Sequence, residues 1–99
     1  MADYVLSDAA RQDLLRIAEY TLDRFGARRS ETYLEEFRRC FDLISRNPGI
    51  GRNMDRIRPG LRRYDRGSHL VFYMSGATGL LVVRVLHARQ DPHRHIGAD

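Results

Sequence analysis

Two runs in the second half of the chain, His69 to Ser75 and Leu80 to His87, constrain the fold more than any other feature. In the first, Leu70, Phe72 and Met74 alternate with Val71 and Tyr73. In the second, Leu81, Val83 and Val85 alternate with Leu80, Val82 and Leu86. Both are apolar on both faces, which marks central strands covered on each side. Ser75-Gly76-Ala77-Thr78-Gly79 between them has the composition of a hairpin turn, and so short a link makes the pair antiparallel. A shorter strand precedes them, Leu61 to Asp65, closed by Asp65-Arg66-Gly67.

The first half supplies one cover. Tyr4-Val5-Leu6 favours a strand, and Ser7 is a natural N-cap with Asp8 in the first helical turn. Ala10, Leu14, Ile17, Ala18, Thr21, Leu22 and Phe25 then recur with the period of an amphipathic helix, which Gly26 ends. Tyr33, Leu34, Phe37, Cys40, Phe41 and Ile44 form the stripe of a second helix, stopped by Asn47-Pro48-Gly49. The short link makes the two an antiparallel hairpin. Its outer faces carry mixed charge, Asp13 and Arg16 among them. Residues 47–60, with three Gly and two Pro, read as a loop.

The expected fold is therefore α+β in the order β-α-α-β-β-β. It is a mostly antiparallel sheet with a helical hairpin on one face, a single domain over residues 1–99. The strand is placed at 4–6, the helices at 7–25 and 28–46, the later strands at 61–65, 69–75 and 80–87, and a polar tail at 88–99. No element remains to cover the second sheet face, which predicts a partner there. Arg84 interrupts that apolar strand, so it must be paired, with Asp65 or Asp91, or face a site.

Charge is uneven. Residues 1–45 hold seven Arg against nine acids, a net of −2; residues 46–99 hold ten Arg against four acids, a net of +6. There is no Lys. A basic second half implies an acidic partner or a polyanion. A plain nucleic-acid-binding module is disfavoured, because no helix carries a basic stripe. Cys40, the single cysteine, cannot form an internal disulfide and sits at helical spacing between Phe37 and Ile44, so it reads as a packed thiol. His87, His93, His95 and Asp91 lack metal-ligand spacing, so no metal is expected, and no cofactor. His69 and His87 are placed to anchor hydrogen bonds at strand ends. Met1-Ala2-Asp3-Tyr4 has neither a basic nor an apolar signal region, and no run reaches the ~20 apolar residues of a membrane span. The expectation is cytoplasmic.

Several strings resemble a known family. Ile57-Arg58-Pro59-Gly60-Leu61-Arg62-Arg63 is similar to the segment entering the second strand of ParE toxins, and Gly67-Ser68-His69-Leu70-Val71-Phe72-Tyr73 to the strand after it. Val82-Val83-Arg84-Val85-Leu86-His87 resembles the last strand of that family. Tyr4, Leu6, Ser7, Phe25-Gly26, Tyr33 and the Pro48…Gly51-Arg52 spacing agree. Ala88-Arg89-Gln90-Asp91 departs from the Arg-Met-Asp run common there. The resemblance implies the RelE/ParE-like fold and the toxin of a type II toxin–antitoxin pair. It implies silencing by a ParD-like antitoxin in a 2:2 or larger complex, and inhibition of DNA gyrase without catalysis. DNA would be met only through antitoxin or gyrase. The sister RelE branch keeps a ribosome-dependent messenger-RNA endonuclease open, with Arg62, Arg84, His87 and Arg89 as catalytic candidates. Target-binding candidates are Arg62, Arg63, Tyr73, Arg84, His87, Arg89 and His95. Antitoxin-binding candidates are Leu14, Ile17, Leu22, Phe37, Phe41 and Tyr73.

Overall fold

A computed structural model of the chain describes residues 3–97; residues 1, 2, 98 and 99 of the expected domain and tail lie outside it. Strand β1 (Tyr4–Leu6) leads into helices α1 (Asp8–Phe25) and α2 (Ala27–Arg46). There follow β2 (Arg52–Asn53), β3 (Arg62–Arg66), β4 (His69–Gly76), β5 (Gly79–His87) and a single helical turn, α3 (Pro92–His95). The sheet order is β1-β5-β4-β3-β2. Among the described strands only β1 runs parallel to its neighbour, with Tyr4 opposite Leu80 and Leu6 opposite Val82. The two strands apolar on both faces are accordingly central.

Element bounds agree with the sequence reading to within a residue, with two additions. β2 is a two-residue pairing inside the expected loop, Arg52 opposite Arg63 and Asn53 opposite Arg62. α3 gives the tail a turn, capped by the Asp91 carboxylate, which accepts from the His93 N–H at 3.0 Å. Both are too short for hydrophobic periodicity to register.

The start of α1 is fastened twice by one side chain. Ser7 Oγ accepts from the Ala10 N–H at 2.9 Å and donates to the Val83 carbonyl at 2.7 Å. Gly26 alone joins the two helices. Its φ of 90° is one that a Cβ resists, and its N–H and carbonyl close the last turn of α1 and open the first of α2. Ser30 Oγ then donates to the Ala18 carbonyl at 3.1 Å across the hairpin.

Phe37, Cys40, Phe41 and Ile44 of α2 and Ala10 of α1 pack on Val71, Tyr73, Leu80, Val82 and Val85. Burial in that cluster pushes the Cys40 thiol up to about 11, so it carries no thiolate at neutral pH.

The second sheet face corrects an expectation. Its middle is covered by the chain itself: Ile57 and Leu61 of the loop and Ile96 of the tail bury Phe72, Val83 and Leu86, with Met54, Leu70 and Met74 at the margin. The loop is rich in Gly and Pro and the tail is polar, so the isolated apolar anchors Ile57 and Ile96 carry no periodicity that would announce them. Only the far end stays open, where the register partners Val5 and Leu81 are 62% and 37% exposed.

Tyr73 holds the loop down. Its hydroxyl donates to the Pro48 carbonyl and accepts from the Gly51 N–H, both at 2.8 Å. A Cβ at Gly51 would overlap that hydroxyl, so glycine is required there. Tyr73→Phe leaves the buried Gly51 N–H unpaired and is expected to cost about 1–3 kcal/mol. Urea unfolding reads this; an unchanged midpoint would mean that the hydroxyl is dispensable.

Candidate functional site

Most of the arginines singled out from sequence are engaged internally. Arg62 Nη1 donates to the Gly51 carbonyl at 2.7 Å, holding the same loop as Tyr73. Arg63 pairs with Asp65 on its own strand, Nε to Oδ1 at 2.8 Å.

Arg84 is held most tightly, and not by Asp65 or Asp91. A bulge in β5 sets Val82 opposite Tyr73 but Arg84 opposite Phe72, so Val83 is the extra residue. The guanidinium reaches Asp13 of α1 through two bonds, Nε to Oδ2 and Nη2 to Oδ1, both 2.8 Å. Its Nη1 donates to the His95 carbonyl at 2.8 Å. Asp13 also accepts from the Val85 N–H at 2.9 Å and from Arg16 Nη2 at 3.0 Å. β1 stops opposite Val82, and the Asp13 carboxylate takes over the β5 edge beyond it. Asp13 is only 5% exposed, which overturns its expected place on a solvated helix face. The signal was available: Asp13 lies between Ala10 and Ile17 on the buried stripe of α1. The bond to Asp13 raises the Arg84 pKa, so the guanidinium stays charged at any physiological pH.

Tyr73, Phe37 and Phe41 are at most 2% exposed and cannot present side chains to an antitoxin or target in this fold. Leu14 and Ile17 are half-buried against the core. Leu22 is exposed, and with Leu15, seven residues earlier and 59% exposed, it forms an apolar line on the outside of α1. Leu15 was missed because adjacent Leu14 and Leu15 cannot both face inward, and the core took Leu14.

The exposed chemistry gathers at the other end of the sheet. An open groove of about 620 Å³ lies between the helical hairpin and the ends of β4 and β5, lined among others by Ile17, Tyr20, Arg29, Tyr33, His69 and His87. His69 and His87 are register partners with ring centroids 5.4 Å apart, edge to face. The Tyr33 hydroxyl lies 2.6 Å from His69 Nδ1. His87 Nδ1 accepts from the Arg89 N–H at 3.1 Å, and the His87 N–H donates to Gln90 Oε1 at 2.7 Å. Both histidines thus anchor hydrogen bonds at strand ends. Arg89 and His95 are exposed, and His95 joins the Arg84 network by its backbone alone.

Burial first, and then His87, push the His69 pKa below its usual 6.5. A histidine whose folded pKa is depressed favours the folded state above the unfolded pKa, and that stability is lost as pH falls through the folded value. Stability is expected to decline as pH drops below about 6.5. His69→Gln should flatten that decline in melting temperature measured against pH; an equally steep variant would place the effect elsewhere.

The description "ParE toxin of type II toxin-antitoxin system, parDE" matches residues 4–92. The chain is 45% identical over 94 residues to "Toxin ParE1" of Mycobacterium tuberculosis, covering 94% of this chain and 96% of that protein. It is 35% identical over 97 residues to "Toxin ParE1" of Caulobacter vibrioides, covering 98% and 100%. A solved structure titled "Chromosomal ParDE TA system from P. aeruginosa" superposes with a TM-score of 0.73 over 88% of this chain and 96% of that one, at 16% identity, and so shares the fold.

Proposed function

Because the chain belongs to the ParE toxin family of type II toxin–antitoxin systems, we propose that it is a growth-inhibiting toxin acting on DNA gyrase as a protein-binding poison and silenced by a ParD-like antitoxin. The antitoxin would lie along the Leu15–Leu22 line of α1 and the open Val5–Leu81 end of the second sheet face, in a 2:2 or larger complex. No helix among the described residues is long and apolar enough to cross a membrane; the proposed setting is the cytoplasm.

One observation favours the poison over a messenger-RNA nuclease: the basic residues a nuclease would use do not converge. Phosphodiester cleavage needs cationic donors on the phosphate beside an acid and a base. Arg62 is spent on the Gly51 carbonyl and Arg84 on Asp13, while the His87 ring accepts from the Arg89 N–H at the end of β5.

The deciding experiment incubates the purified chain with gyrase and supercoiled DNA, and separately with programmed ribosomes. Cleaved DNA or lost supercoiling is expected. Cut messenger with untouched gyrase overturns the proposal.

A further inference from the structure

The groove at the ends of β4 and β5 has a charge pattern that neither the core nor the apolar line on α1 accounts for. Arg16, Arg29, His69 and His87 line it, and none of its lining residues is acidic. Arg16 shares Asp13 with Arg84. Among the described residues Arg29 is in no ion pair; its guanidinium lies 5.9 Å from the centroid of the Tyr33 ring. With Nδ1 accepting from the Arg89 N–H, the His87 ring has its proton on Nε2 and keeps a donor to offer. Beside these cations stand exposed aromatic rings, Phe25 at 67% and Tyr20 at 57%, the latter with the Arg24 guanidinium 5.0 Å from its centroid. Aromatic rings exposed beside a cation that no described carboxylate neutralises mark a recognition surface.

We infer that this groove is an anchor site for a carboxylate held next to an apolar or aromatic side chain of a protein partner, with Arg29 and His87 receiving the anion and Tyr20 and Phe25 the apolar group. The partner's identity as an antitoxin rests on the toxin reading above; the chemistry of the site does not. A volume of about 620 Å³ suits a small ligand or one or two side chains. A nucleic acid fits less well, because a backbone of phosphates asks for a row of cations and the groove offers one unpaired guanidinium.

The site has a pH dependence built into it. The groups around the two histidines are Arg16 of α1, Arg29 and Tyr33 of α2, and the Glu36–Arg66 pair joining α2 to β3 at 2.7 Å. Burial, and then the neighbouring His87, disfavour the imidazolium of His69, while a carboxylate bound beside it favours that form, so binding takes up a proton. Affinity therefore rises as pH falls.

The test is an NMR titration of the full chain with 3-phenylpropionate and, separately, with its neutral amide. The carboxylate is expected to shift His69, His87 and Tyr33 resonances saturably. It should bind at least about fivefold tighter than the amide, in line with a charge-assisted contact. Its affinity should increase at least about threefold between pH values of about 7.5 and 5.5. Arg29→Gln, at an exposed position, should remove most of the preference for the carboxylate and leave amide binding unchanged. Equal binding of acid and amide, shifts confined to other surfaces, or no saturation overturns the inference. So does tighter binding of a short RNA dinucleotide at the same residues, which would reassign the groove to nucleic acid. Failure here leaves the gyrase result untouched, and failure with gyrase leaves this one untouched.

Discussion

Asp13→Ala is expected to destabilise the fold more than any other substitution of a charged residue. It removes the acceptor for Arg84, for the Val85 N–H and for Arg16 together. It leaves the Arg84 guanidinium, 14% exposed, with the His95 carbonyl as its one remaining partner among these contacts. Stranding one member of a buried pair costs about 3–5 kcal/mol. Stabilities for domains of this size are about 5–15 kcal/mol, so at least about a fifth is at stake, on the order of 12–40 °C in melting temperature. Arg84→Met should cost less, because Asp13 keeps Arg16 and the Val85 N–H. The double variant Asp13→Ala with Arg84→Met should lose clearly less than the two single losses added, since the Arg84 charge is then not left buried alone. Urea unfolding of the four proteins measures this. Additive losses would mean that Asp13 and Arg84 act independently, contrary to the bidentate geometry.

That ion pair also shows what the sequence could and could not convey. Alternation in residues 69–87 and the helical stripe of residues 10–44 encode the central antiparallel strand pair and the helical hairpin, because each is a repeated pattern that burial enforces. Arg84 stood out for the same reason, as a break in a pattern. Its partner did not, because pairing residues 71 positions apart in the chain is decided by where α1 crosses the sheet, and a bulge then turns Arg84 towards it. The groove is less legible still. Tyr33 and His69 are 36 positions apart, on a helix and a strand end, and each alone reads as an ordinary amphipathic residue. Tyr73 failed in the opposite direction. A tyrosine in the basic half of the chain, between Arg62, Arg63 and Arg84, suggests a contact surface, yet its hydroxyl serves Pro48 and Gly51 in the interior.

Ile96→Ala is expected to cost about 2–4 kcal/mol, the usual range for emptying a buried aliphatic site. Ile96 is 3% exposed and packs with Ile57, Leu61, Phe72, Val83 and Leu86. It closes a face of the central strands that would otherwise meet water. Two polar contacts hold the segment beside it: Arg84 to the His95 carbonyl at 2.8 Å, and Arg58 Nε to the Gly97 carbonyl at 3.1 Å. His93→Ala, at an exposed neighbour, should stay within about 0.5 kcal/mol of the parent. The contrast separates two roles of the tail in a growth assay. If the tail acts mainly as a buttress, toxicity should fall with the folded fraction in Ile96→Ala and survive in His95→Ala, whose backbone carbonyl still serves Arg84. If the tail meets the target through side chains, His95→Ala or Arg89→Ala should abolish toxicity with the melting temperature unchanged. The burial of Ile96 favours the first outcome for residues 92–97, and the exposed Arg89 beside His87 leaves the second to the turn that precedes them.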